Sequence, residues 1–472
     1  MIRTYQPKIQ VTLVKTVDQR SGTSERVRDA GWRIDLTRYL GDHGKVNVYR
    51  AINSADNHFS LQLVDRMHPE ARDSLYGLIA PMDMVEIRMA REPRGGDNMP
   101  VVMRGFVDTV RRKEAVGQDG NPIRTIIVHG GDYGLIMKAV QIFYAKEYPA
   151  GVIALEKFKF FYQYGADFKL MSAEEFAGNV LSVVNDWLKE LDAQSSKSII
   201  PQLTLVSSVK NGRIGPFGVS PYEGDMWNFL SNWSDLTWNE LIFNDTEFGP
   251  ELIYRPNPYH DLNGDLIMPD AVEPDRIKIT DSHIRSIEIG RGLYRVGNFY
   301  QVDAPNSYVI NRNLLNTYAL DRGILFDDKN PNSDPTLFGL RKIAAQSNQT
   351  SDLSARRADN LTETEKEKFA SDWSEWVEQR RDELIKMNKD NSVLEDGSMV
   401  LMGNENIKPG VYLELSRGAL VSEYYVHDVL HEFSPLSGFV STVNVLRGTG
   451  FVSRRRLQSS PYLTERRSGV YG

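Results

Sequence analysis

Four short runs of alternating residues between Phe59 and Asp132 constrain this chain more than any other stretch. The first, Phe59 to Asp65, sets Phe59, Leu61 and Leu63 on one face and Ser60 and Gln62 on the other. That period of two is the pattern of a half-buried strand. In the second, Met84 to Met89, Val85, Ile87 and Met89 point inward while Glu86 and Arg88 point outward, with Pro81 and Asp83 marking the entry. The third, Val101 to Arg111, is apolar on both faces around Gly105, which predicts a bend or bulge at that glycine. The fourth, Arg124 to His129, closes on Gly130 and Gly131. The short spacing predicts that neighbouring runs pair antiparallel, and the set predicts a small twisted β-barrel or sandwich.

The chain has 472 residues, too many for one ordinary core, which predicts about three domains. It has no cysteine, so disulfides, thiolate metal sites and a cysteine nucleophile are excluded; this fits assembly in a reducing cytosol. A net charge of −7 offers no overall basic field for nucleic acid. The N-terminal residues have no signal-peptide apolar core, and no apolar run is long enough to span a bilayer, so stable membrane insertion is not expected.

Upstream of Phe59, residues 7–18 read as a strand, 19–29 as an exposed loop, and Trp32 to Leu40 as a second segment before a glycine-rich break at 41–44. Beyond residue 135, the aromatic and basic run Lys157 to Tyr164 predicts burial or an interface. Ser172 and Glu175 have capping-box spacing, which predicts a helix running to about Leu191. Its stripe is Phe176, Val180, Leu181, Val184, Trp187, Leu188 and Leu191. Residues 192–222 read as loop, 225–233 as a short helix, and 238–243 with 251–255 as a hairpin. Strand patterns recur at 277–279, 283–289, 294–302, 399–415, 424–433 and 439–447. Between them, 303–353 is loop-like and 362–388 strongly helical, with Phe369, Trp373, Trp376, Val377, Arg380 and Leu384 on one stripe.

The pieces FSLQLVD (59–65), LIAPMDMVEIRMAR (78–91), VMRGFVDTV (102–110) and RTIIVHGGDYGLI (124–136), in that order, resemble the first tube-like barrel of the baseplate central hub proteins of contractile-tailed bacteriophages. The hub domain of type VI secretion spikes shares that barrel. On this resemblance Tyr39 and Leu40 would be packing residues, 225–255 the α/β insertion between two barrels, and 277–302 with 399–447 the second barrel. The expected fold class is mainly β with α/β insertions (α+β): two tail-tube-like antiparallel β-barrels, an inserted α/β domain, and a helical insertion in the second barrel. The expected divisions are 1–135 (first barrel), 136–272 (α/β insertion), 273–302 plus 396–452 (second barrel), 303–395 (loop and helical insertion) and 453–472 (basic tail). Stretches 136–171, 192–222 and 303–395 depart from the family pattern.

The resemblance implies a structural protein and no enzyme: a homotrimeric symmetry adaptor between a six-fold tail tube and a three-fold central spike, forming part of the DNA-ejection channel. Implied partners are the central spike protein, the tail tube or distal tail ring protein, the tape-measure protein, neighbouring baseplate wedge proteins, and genomic DNA in transit. Implied placement is the tail baseplate of the virion, assembled in the host cytoplasm. Trp373 and Trp376, with Arg454, Arg455 and Arg456 of the tail, are expected at interfaces with neighbours. Alternatives are a tail-associated peptidoglycan hydrolase on a hub scaffold, which a zymogram would reveal, and the hub of a type VI secretion or tailocin particle. The type VI family usually continues into a β-helical spike. The chain ending soon after its last barrel strand is expected to favour a phage or phage-like particle.

No catalytic or cofactor site is read. His427 and His431 share zinc-like spacing, but no third ligand is evident and the segment reads as a strand with Tyr425, His427, Val429 and His431 on one face. Asp261 to Asp265 has calcium-loop residues with the glycine misplaced, and Asn263-Gly264 reads as a turn. No phosphate-binding glycine loop or nucleophile elbow is present.

Overall fold

The computed structural model describes residues 7–16, 31–92, 99–116, 122–142, 167–168, 171–192, 198–214, 224–303, 322–350, 355–356, 362–417 and 420–449. The chain is mainly β, and one thirteen-stranded sheet runs through two barrels. The first holds β1 (Lys8–Val14), β2 (Arg33–Asp35), β3 (Lys45–Ala51), β4 (His58–Val64), β5 (Met84–Ala90), β6 (Val101–Val116) and β7 (Pro122–Gly131). Its strand order is β2-β1-β5-β6-β7-β4-β3. The sequence alternation is realised as read: Phe59, Leu61, Leu63, Val85, Ile87 and Met89 are all buried in one core.

Two sequence expectations for this barrel change. The strand that begins at His58 does not pair with the next run; it pairs with β7, and β5 lies between β1 and β6. The long link from 65 to 83, with its helical turn at Leu75–Leu78, carries the chain across the barrel instead of turning it back. Gly105 is not the bulge. The register shifts between Ile87 and Arg88 and between Val107 and Thr109. Gly105 instead permits close approach: a Cβ there would lie 2.2 Å from the Gly131 carbonyl oxygen, and one at Gly130 would lie 2.3 Å from Phe59 Cζ. The Phe59 ring fills the space that both glycines leave.

The inserted α/β unit packs against the outer face of this barrel. It contains α1 (Ala173–Asp192), α2 (Met226–Trp233), and the hairpin β8 (Asn239–Thr246) and β9 (Gly249–Pro256). Ser172 Oγ accepts from the Glu175 amide at 3.0 Å and starts α1 as its spacing predicts. The helical stripe packs with α2, β8 and β9, and the cluster extends to Met84, Phe106 and Tyr133 of the first barrel region. Residues 192–222 are not all loop, because Thr204–Ser207 adds a parallel strand beside β9.

The second barrel holds β10 (Arg276–Thr280), β11 (Ile284–Gly290), β12 (Glu395–Met402), β13 (Tyr412–Arg417), β14 (Leu420–Ser434) and β15 (Gly438–Gly448). Its order is β10-β13-β14-β15-β12-β11, around a core that includes Ile279, Met399, Leu401, Leu413, Tyr424, Val426, Val429 and Val443. Here β10 and β13 run parallel, an exception to the expected antiparallel pairing. The strand Phe299–Asp303 is not part of this barrel. It joins Ile324–Phe326 and Lys342–Gln346 in a separate three-stranded sheet, so 303–353 is less loop-like than its composition suggests. Against that sheet lies α3 (Glu363–Asn388), as the helical stripe predicts.

The two barrels repeat one topology. Setting aside β1, the order β2-β5-β6-β7-β4-β3 matches β10-β13-β14-β15-β12-β11 strand for strand in sequence order. In each, the first strand reaches the second through a 3-10 corner, Leu36–Tyr39 or Asp281–His283. In each, the longest strand carries a bulge, at Asp108 in β6 and at His427 in β14. The bulge moves the inward phase from Tyr424 and Val426 to Val429. Tyr425 and Val429 therefore do not share a face, which corrects the strict alternation expected across them.

Candidate assembly surface

The long strand β14 serves two partners along one edge. From Leu420 to Tyr425 it pairs with β13, and from Asp428 to Phe433 it pairs antiparallel with β3 of the first barrel. The barrels are thus joined edge to edge within one chain. Hydrogen bonding along β3 satisfies an edge that would otherwise be open. Beyond the joint, the hairpin of β14 and β15 inserts Phe433 and Phe439 into the core of the first barrel. Glu432 pairs with Lys45 at 2.6 Å on the outer side. On the inner side His431 is buried, with Nδ1 against Ser441 Oγ at 2.8 Å and Nε2 against the Ile407 carbonyl at 3.0 Å. Burial pushes its pKa down to about 4, so it is a neutral hydrogen-bonding group at pH 7. His427, on the bulge, turns outward to Asp428 at 3.0 Å. The two histidines do not converge, and among the described residues no group of three metal-ligating side chains exists.

Buried charges lock the insertion to both barrels. Asp245, near the tip of the β8–β9 hairpin, takes the Arg50 guanidinium of β3 and accepts from the Arg104 amide of β6 at 3.0 Å. Arg104 Nε donates to Glu86 at 2.9 Å, and Arg88 bridges Glu86 at 2.7 Å and Glu247 at 3.0 Å. Beside them Asp132 is buried, accepting from Asn57 Nδ2 and the Gly134 amide, each at 2.8 Å. Burial outweighs the nearby Arg50 charge and lifts its pKa to about 7. On the second barrel's side Glu240 accepts from Arg255 Nε at 2.6 Å and from the Tyr425 hydroxyl at 2.7 Å. Arg255 also donates to the Gly410 carbonyl at 2.7 Å. His260 meets Glu273 at 3.0 Å; burial alone would lower its pKa, but the neighbouring Glu423 and Glu273 carboxylates raise it. These keys were legible only as charges inside apolar runs, Arg50 in β3 and Glu240 in β8, and the sequence reading passed over them.

The expected interface tryptophans are placed differently. Trp373 and Trp376 are 3% and 6% exposed and pack with Trp238, Tyr300, Val302 and Val377 of the same chain. Arg380 lies over the Trp376 ring at 4.3 Å, and its carbonyl accepts from Trp238 Nε1 at 3.0 Å. Within the single chain this helix docks on its own sheet, and both indoles are buried there. Trp227 and Trp238 are also buried. Phe369's side chain, Lys157 to Tyr164, and Arg454, Arg455 and Arg456 lie outside the described residues. Asp261 is a turn: its Oδ1 accepts from the amides of Asn263 and Asp265 at 2.8 and 3.1 Å. Among the described residues no helix is long and apolar enough to cross a membrane.

No family model matches the sequence, and no curated protein matches it. Solved structures do. The chain aligns over 95% of its length with 98% of the tail protein from Neisseria meningitidis MC58, at 10% identity and a TM-score of 0.50. The fold is that of a tail protein. Two prophage tail proteins also align. The 43 kDa protein of prophage MuSo2 from Shewanella oneidensis matches at 10% identity, 94% and 97% coverage and a TM-score of 0.44. Protein gp18 from Listeria monocytogenes EGD-e matches at 6% identity, 92% and 94% coverage and a TM-score of 0.43. The tail-protein fold agrees with the architecture that the hub resemblance implies: two barrels, an α/β insertion between them, and a helix-bearing insertion in the second.

Proposed function

We propose that this tail-fold protein is a structural hub of a contractile-tail baseplate. One observation carries the reading: a single chain holds two barrels of one topology, already joined edge to edge by β14 and β3. Three such chains supply six similar barrels, which suits a trimer that presents six-fold repetition to a tail tube and three-fold repetition to a central spike. Tape-measure protein and genomic DNA would pass through the ring, and wedge proteins would surround it. The charged keys between barrels and insertion fit a body that transmits load without rearranging. The work is adhesion and symmetry matching, with no turnover, in the tail baseplate of a virion assembled in the host cytoplasm.

Light scattering on the purified protein at several concentrations tests this. The expected mass is three times 53.6 kDa. A concentration-independent monomer that persists when the spike is co-expressed would overturn the reading.

A further inference from the structure

The joint inside the chain leaves two strand edges that match each other as β14 matches β3. In the second barrel, β14 past its bulge pairs with β3 of the first. The equivalent stretch of the first barrel is β6 past its bulge, Thr109 to Val116. It pairs with β7 on one side, while β5 stops at Phe106 on the other, so among the described residues that second edge has no strand partner. The equivalent of β3 in the second barrel is β11, which among the described residues pairs only with β12. The two vacant edges belong to opposite barrels and are the halves of a second joint like the first.

Resting on the trimeric hub reading, we infer that β6 of one chain pairs antiparallel with β11 of the next copy, and that this contact closes the ring head to tail. The repeat fixes the register. Thr109 stands opposite His129 as Asp428 stands opposite Asn444, and Phe59 opposite Gly130 as Gly397 opposite Val445. Val48 and Asn47 of β3 therefore correspond to Ile289 and Glu288 of β11. In the existing joint, Glu432 faces Asn47 and His431 faces Val48. Carried over, Lys113 faces Glu288 and Arg112 faces Ile289. The new pair is opposite in charge, as Lys45 and Glu432 are at the existing joint. Lys113 and Glu288 are both exposed, and among the described residues neither has an ionic partner. A heterologous contact of this kind gives a closed ring only if the rotation closes, which the internal joint already sets at one barrel per step. A second copy is thus the occupant that covers both edges and removes them as templates for stray pairing.

The absence of cysteine makes the test clean. Lys113→Cys with Glu288→Cys, oxidised and run without reductant, should give a covalent trimer, and each single variant none. Lys113→Cys with Ser286→Cys, two residues out of register, should cross-link far less. Lys113→Glu should raise the concentration at which the trimer dissociates by roughly tenfold, from lost attraction and new repulsion at three joints, and Lys113→Glu with Glu288→Lys should restore it. If light scattering finds a trimer but the in-register pair does not cross-link, or the control cross-links equally, the edge assignment falls and the hub reading stands. If every variant and the parent are monomers even with the spike present, both fall.

Discussion

Removing the Asp245 carboxylate should cost this fold more than removing any exposed charge. The side chain is buried near the tip of the β8–β9 hairpin and serves two strands of the first barrel. It neutralises Arg50, whose own side chain is 4% exposed, and it accepts from the Arg104 amide at 3.0 Å. In Asp245→Ala the guanidinium of Arg50 stays buried without its ion-pair partner, and the Arg104 amide loses its acceptor. Breaking one side of a buried ion pair costs about 3–5 kcal/mol. With a urea slope of about 3 kcal/mol/M, the unfolding midpoint should fall by about 1–1.7 M. Tryptophan fluorescence follows this directly, because Trp227 packs 5.6 Å from Phe243 in the same hairpin. The partner change is the control. Arg50→Met with Asp245→Leu removes both charges and should recover most of the loss, since a buried pair replaced by apolar side chains is often neutral. A midpoint within about 0.3 M of the parent for Asp245→Ala, or a double variant no better than the single, would refute the idea that this charge locks the insertion to the barrel.

Trp376→Ala should destabilise the protein by about 3–5 kcal/mol through a cavity between α3 and its sheet, read as a lower denaturant midpoint. An unchanged midpoint would show that this indole is not part of the core. For Asp132, the folded pKa of about 7 stands above the ordinary aspartate value of 3.8. Its contribution to stability is then complete below the unfolded pKa and is lost as pH rises through 7. The stability of the parent relative to Asp132→Asn should decline between about pH 4 and pH 7, and a flat difference in urea titrations across that range would contradict the assignment.

The alternating runs made the barrel strands legible because burial on one face imposes period two, and the capping box at Ser172 fixed the start of α1. Pairing partners were not legible. Proximity in sequence favours β4 with β5, yet a long crossing link placed β7 there instead. Gly105 looked like a bulge because glycine in a strand has two common uses, and only the position of the Phe59 ring separates them. The tryptophan stripe of α3 announced a docking surface but not its partner, since an amphipathic helix reads the same whether its own chain or a neighbour covers it. The keys Arg50, Asp245 and Glu240 were missed for a related reason. A single charge in a strand is silent until the strand facing it is known.

One strand accounts for the main difference between the two barrels. In the second barrel β10 lies directly against β13 and runs parallel to it. In the first, β1 lies between the corresponding β2 and β5 and pairs antiparallel with both. Inserting one strand into a ladder reverses the required sense on each side, so the same chain direction that gives a parallel pair in one barrel gives two antiparallel pairs in the other. The corners, the bulged long strands and the order of the remaining strands need not change, and they do not. The added strand lies at the far end of the sheet from β3, so the joint that β3 makes with β14 is untouched by it.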